Sequence, residues 1–159
     1  MNISYLLIGG NQGDRFAQLE TARTFISTTA GAIRTVSSIY ETAPWGKTDQ
    51  AWFLNQVLQL ETEAGAPELL KLLLNIEESM GRKRSEKYGS RIIDIDILFF
   101  NDAILREPGL TIPHPEIANR RFVLEPLNEI APAYIHPVLH RSVSELLAAC
   151  TDPLEVKKL

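Results

Sequence analysis

The chain has 159 residues, of which 45% are hydrophobic and 23% charged, and a formal net charge of −4 at pH 7. That length fits a single domain over 1–159 with a real core, and the mild acidity argues against a general affinity for nucleic acid. No stretch approaches the roughly 20 apolar residues of a membrane span, and Cys150, the one cysteine, cannot form an internal disulfide. With no basic leader before the short apolar run at the N-terminus, a cytoplasmic location is expected, and the chain is expected to act as a monomer.

Residues 2–8 read as a buried strand ending at Gly9-Gly10. Asp14 is placed to cap a helix over about 15–29, with Phe16, Leu19, Ala22 and Ile26 as its apolar stripe. Gly9, Gly10 and Gly13 do not have the spacing of a dinucleotide fingerprint, and no Gly-x4-Gly-Lys-Ser/Thr occurs. Any nucleotide is therefore held without a P-loop. After Gly31, residues 33–41 predict one β-rich strand, and 42–51 a loop broken by Pro44 and Gly46. Trp45 in that loop either packs back on the core or helps to cap a ligand.

Strand 53–62 places Leu54, Leu58 and Leu60 on one face and Phe53, Asn55 and Val57 on the other. Phe53 beside Asn55 offers a platform for a flat, hydrogen-bonding heterocycle, or else a small satellite core. Pro67 and Glu68 open a helix that runs to Met80 and ends at Gly81, with Leu69, Leu70, Leu73 and Ile76 inward. Residues 103–112 predict two short strands about a Pro-Gly turn, followed by the rigid Pro113-His114-Pro115. A helical stretch over 116–130 is interrupted by Pro126, and Ser142 with Glu145 forms a capping box for a last helix. The order through residue 100 is that of an α+β, ferredoxin-like βαββαβ fold with an antiparallel sheet and extra C-terminal helices.

The chemistry concentrates in Gly81–Phe100. Ile93, Ile95, Ile97 and Phe99 alternate with Asp94 and Asp96, so the two carboxylates share a strand face about 6.6 Å apart. Just upstream, residues 82–91 carry Arg82, Lys83, Arg84, Lys87 and Arg91 against one acid, Glu86, a local charge of +4 in a chain of −4. Paired acids beside a basic segment suggest a metal–polyphosphate site, with cations on one side of the phosphates and guanidinium groups on the other. A half-exposed strand next to a solvated basic loop would show the same residues. An RNA-binding or regulatory module, or a palm-type nucleotidyl transferase, are the rival readings.

Lys87-Tyr-Gly-Ser-Arg91-Ile-Ile-Asp94-Ile-Asp96-Ile-Leu98 resembles the signature of the 6-hydroxymethyl-7,8-dihydropterin pyrophosphokinase family of the folate pathway. The resemblance extends through Ile8–Asp14, Tyr40–Pro44, Phe53-Leu-Asn55, Glu77, Gly81–Arg84, Pro113-His114 and Asn119-Arg120 to Phe122, in order along nearly the whole chain. Gly10, Tyr88 and Pro115 depart from the residues common at those places.

The resemblance implies transfer of the β,γ-pyrophosphoryl unit of ATP to the pterin hydroxymethyl oxygen, leaving AMP. It implies two Mg²⁺ on Asp94 and Asp96, and catalytic roles for these acids with Arg82 and Arg91 on the polyphosphate. Arg84, Ile97, Thr111, His114 and Arg120 would join those arginines in binding the nucleotide. Phe53 and Phe122 would sandwich the pterin, with Asn55, Thr42 and Ala43 reading its edge and Trp45 nearby. Residues 82–90, polar and cationic, are expected to act as a lid over ATP.

Overall fold

The computed structural model describes residues 1–44, 51–81 and 92–159. Its chain order is β1 (Asn2–Gly10), α1 (Arg15–Thr29), β2 (Ala32–Val36), β3 (Tyr40–Thr42), β4 (Phe53–Thr62) and α2 (Ala66–Ser79). Then follow β5 (Asp94–Phe100), β6 (Leu105–Glu107), β7 (Leu110–Ile112), α3 (Arg121–Ile130), α4 (Val143–Ala149) and β8 (Val156–Lys158). The main sheet is antiparallel in the order β5-β1-β4-β3-β8, with β2 also paired to β4. The βαββαβ core is thus present, and β6 and β7 form a separate hairpin.

Local chemistry sets the helix ends. Asp14 Oδ1 accepts from the Ala17 N–H at 3.0 Å, satisfying one of the free donors of α1. Pro67 lies in the first turn of α2, and Gly81, at φ +88°, takes the left-handed conformation that ends it. The apolar stripe of α1 begins at Leu19, whereas Phe16 is 50% exposed. Ser142 and Glu145 form the capping box of α4.

Each face of the sheet is covered. On the first, α1 and α2 bury Leu6, Ile8, Leu54, Leu58, Leu60, Ile95 and Ile97. On the second, α3 and α4 bury Tyr5, Leu7, Val57, Leu98 and Phe99. The clean alternation predicted for β5 holds only through Ile97. Tyr5 pairs with Phe99 and Leu6 with Ile97, which leaves Leu98 as the extra residue of a β-bulge. A one-residue slip exchanges the faces of everything beyond it, so Phe99 enters the second core and Phe100 the first.

The stretch predicted as one strand, 33–41, is two. Val36 and Tyr40 are four positions apart while their partners Leu58 and Asn55 are three apart. The interruption is chemical: Ser37 Oγ accepts from the Val57 N–H at 3.0 Å, and the side chain takes a place in the ladder. Helix α3 runs through Pro126 rather than breaking there, losing one backbone bond to the Phe122 carbonyl while burying the proline ring. Glu129 fastens α3 to the sheet by accepting from Tyr40 Oη at 2.8 Å and from the Ser38 N–H at 3.0 Å. Among the described residues no helix is long and apolar enough to cross a membrane.

Candidate active site

The second face of the sheet carries the polar rows. In strand register, Asp94 lies opposite Gly9, Gly9 opposite Asn55, and Asn55 opposite Tyr40. The next row holds Asp96, Leu7 and Val57, and there the core under α3 and α4 begins. Asp94 and Asp96 are therefore half-buried at the margin of that core, on the face away from Ile95 and Ile97. Carboxylates in this position offer hard oxygen ligands. Among the described residues no third His, Cys, Asp or Glu completes a metal cluster. That donor set suits Mg²⁺, which keeps few protein ligands and shares the rest with phosphate and water.

Gly9 gives the rows their shape. A Cβ at this position would lie 2.1 Å from Asn55 Oδ1 and 2.9 Å from the Leu54 carbonyl oxygen. Only a residue without a side chain lets the Asn55 amide lie across β1 toward the acids. Asn55 is 4% exposed, and its Nδ2 donates to Thr42 Oγ1 at 2.7 Å. Phe53, two residues before Asn55 and on its face, is half-buried, as is Phe122 in the first turn of α3. The Ala43 N–H donates to the Glu155 carbonyl at 3.1 Å, so Ala43 offers a ligand its carbonyl oxygen rather than its N–H.

The two neighbouring arginines have different surroundings. Arg121 is bound to α4 and the segment after it, with Nη2 donating to the Cys150 carbonyl at 2.9 Å and Nε to that of Asp152 at 3.2 Å. Arg120 faces the site: its guanidinium carbon is 5.8 Å from the Phe122 ring centroid. It also stands close enough to His114 to act on it electrostatically.

His114 is tied to β5, since its N–H donates to the carbonyl of the bulged Leu98 at 3.0 Å. Its Nδ1 accepts from the Glu116 N–H at 3.2 Å, which leaves the ring proton on Nε2. Burial first, and the Arg120 charge second, push the imidazole down to about 4, so it is neutral at pH 7. His114 and the exposed Thr111 line one groove of about 460 Å³, with Arg106 and His136. Ile97, by contrast, turns its side chain into the first core and leaves only its backbone for a ligand.

The fold thus brings together Thr42, Phe53, Asn55, Asp94, Asp96, Arg120 and Phe122 on one face, with Thr111 and His114 beside them. Trp45, Arg82, Arg84 and Arg91, and the lid expected over 82–90, lie outside the described residues. Sequence patterning missed the use of Gly9. Its double glycine was weighed only as a dinucleotide fingerprint and set aside for its spacing, when the usable signal was a small residue ending a strand that faces an Asn-bearing one.

The family description "7,8-dihydro-6-hydroxymethylpterin-pyrophosphokinase (HPPK)" matches residues 5–132. The chain belongs to this family. It is 40% identical to the 2-amino-4-hydroxy-6-hydroxymethyldihydropteridine pyrophosphokinase of Methylorubrum extorquens, over 100% of this chain and 99% of that protein. It is 44% identical to the Bacillus subtilis protein of the same name, over 81% of this chain and 78% of that one. In fold it is similar to Plasmodium falciparum HPPK-DHPS, with a TM-score of 0.77 at 23% identity, covering 92% of this chain and 44% of that one.

Proposed function

We propose that the second face of the sheet is where this pyrophosphokinase moves the β,γ-diphosphate of ATP onto 6-hydroxymethyl-7,8-dihydropterin for folate synthesis. The pterin hydroxymethyl oxygen attacks the β-phosphorus, the bond from that phosphorus to the α,β-bridging oxygen breaks, and AMP leaves. The hydroxyl proton is lost as the new P–O bond forms. What supports the assignment most is one row of the sheet, where Asp94 stands across the bare Gly9 from Asn55.

In this reading Asp94 and Asp96 would hold two Mg²⁺, which would supply positive charge to neutralise the polyphosphate during transfer. Asn55 hydrogen-bonds the pterin edge, its amide aimed by Thr42, and the Thr42–Ala43 backbone completes that edge through the Ala43 carbonyl. Phe53 and Phe122 stack on the ring, with Trp45 near it. On the nucleotide side, Thr111, neutral His114 and the Ile97 backbone meet the base and sugar, and Arg120 the phosphates. Arg82, Arg84 and Arg91 grip the polyphosphate from the basic segment. Arg82 acts on the charge that builds on the bridging oxygen during transfer.

The chain is read as one domain acting as a monomer, supported by a main sheet whose two faces are covered by its own helices, and as cytoplasmic, in keeping with a folate-pathway reaction. Product analysis tests the reaction. Incubation with ATP, Mg²⁺ and the dihydropterin should yield AMP and a diphosphorylated pterin in equal amounts. Release of pyrophosphate instead would mean nucleotidyl transfer and overturn the proposal.

A further inference from the structure

Helix α2 presents Leu69, Leu73 and Ile76 to the first core, and on the same stripe, one turn after Leu73, it buries Glu77. A carboxylate is an expensive group to remove from water, and an apolar residue would complete the stripe without that cost. Glu77 is nonetheless only 6% exposed. Its Oε2 accepts from the backbone N–H of Ile95 at 2.7 Å, in the range of a charge-assisted bond. Ile95 is the residue between Asp94 and Asp96.

The sheet order explains why that N–H needs a partner. Among the described residues β5 is an edge strand, paired to β1 alone, so donors on its outer side have no described strand to receive them. Left unpaired beneath α2, the Ile95 amide would be a buried donor cut off from water, a costly arrangement. Strand pairing holds β5 from one side, and Glu77 holds it from the other, at its centre between the two acids.

We propose that Glu77 is a positioning residue for the metal-binding strand: by accepting the Ile95 N–H it sets the spacing and direction of Asp94 and Asp96. The inference rests on the assignment of those two carboxylates to Mg²⁺. Glu77 itself works on the backbone from the opposite side of the strand, because Ile95 turns toward the first core and the two acids away from it.

Mn²⁺ is the probe, titrated into the full chain with a non-hydrolysable ATP analogue and read by electron paramagnetic resonance. Amide hydrogen exchange at Ile95 is followed in parallel. In the unaltered protein the Ile95 amide should be strongly protected despite its place on an edge strand; free exchange there overturns the proposal. Glu77→Ala should weaken Mn²⁺ binding about 10–100-fold, as loss of an outer-shell partner does, and deprotect Ile95. Glu77→Gln keeps an acceptor oxygen without the charge, and should stay within about fivefold of the unaltered affinity.

Mn²⁺ binding in Glu77→Ala equal to that of the unaltered protein, with only a lower melting temperature, would mark Glu77 as merely structural. A loss in Glu77→Gln as large as in Glu77→Ala would show that charge rather than the hydrogen bond matters, and also overturns the proposal. Should Glu77→Ala not fold, Ile95 exchange in the unaltered protein and Mn²⁺ affinity in Glu77→Gln decide. Asp94→Ala separates the two levels. If it keeps full Mn²⁺ binding, the metal assignment itself has failed; if it loses binding while Glu77→Ala does not, only the role of Glu77 has.

Discussion

Asn55 Nδ2 donates to Thr42 Oγ1 at 2.7 Å, and both side chains are almost fully buried. The bond links β4 to β3 and fixes the amide plane, so that its remaining donor and acceptor capacity has one direction. Thr42→Val keeps the side-chain shape and removes the acceptor. Pterin affinity should fall by about 0.5–1.5 kcal/mol, the net worth of such a bond, while ATP affinity stays unchanged. Isothermal titration with each ligand measures both. Equal losses for the two would mean that the bond serves the fold and not the pterin edge.

Gly9→Ala tests the bare position between Asp94 and Asn55. The added Cβ would lie 2.1 Å from Asn55 Oδ1 and 2.9 Å from a backbone oxygen, and the second contact cannot be relieved by a rotamer change. Stability should drop by about 1–3 kcal/mol, seen as a lower denaturation midpoint. Folded Gly9→Ala protein should bind the pterin more weakly than the Thr42→Val variant does, because Asn55 is displaced and not merely released.

Asp94→Ala and Asp96→Ala should each abolish turnover at saturating Mg²⁺ and ATP while keeping the far-ultraviolet circular dichroism of the unaltered chain. Both acids sit at the margin of the second core and neither fills it. Near-normal turnover in either variant would exclude the two-carboxylate metal site.

His114 sets a pH dependence of stability. Its folded-state pKa is about 4 against an ordinary 6.5, so between these values the unfolded chain binds the proton more readily. Stability from this group is therefore full above pH 6.5 and is lost as pH falls toward 4. At about 1.4 kcal/mol per unit the loss is on the order of 3 kcal/mol. His114→Gln should flatten denaturation midpoints measured across that window, and the His114 ring should show no titration by NMR between pH 5.5 and 8. A normal midpoint near 6.5 would contradict the buried, neutral imidazole.

Much of this protein is set by local pattern. An apolar run ending at Gly9-Gly10 located β1 and alternation β4 and β5, Asp14 and Ser142 announced their helices, and the i, i+2 spacing put Asp94 and Asp96 on one strand face, because each depends only on the chain's own geometry. The pairing of strands distant in sequence decided the rest. The bulge at Leu98 appears only when β5 is laid against β1, and it sends Phe99 into the opposite core from Ile97. Ser37 splits a strand because Val57 is across from it, and Val156–Lys158 becomes β8 because β3 offers it an edge. Gly9 matters for what lies beside it, and Glu77 is buried for an amide 18 residues away. Periodicity records which way a side chain points; only tertiary register determines which group it meets there.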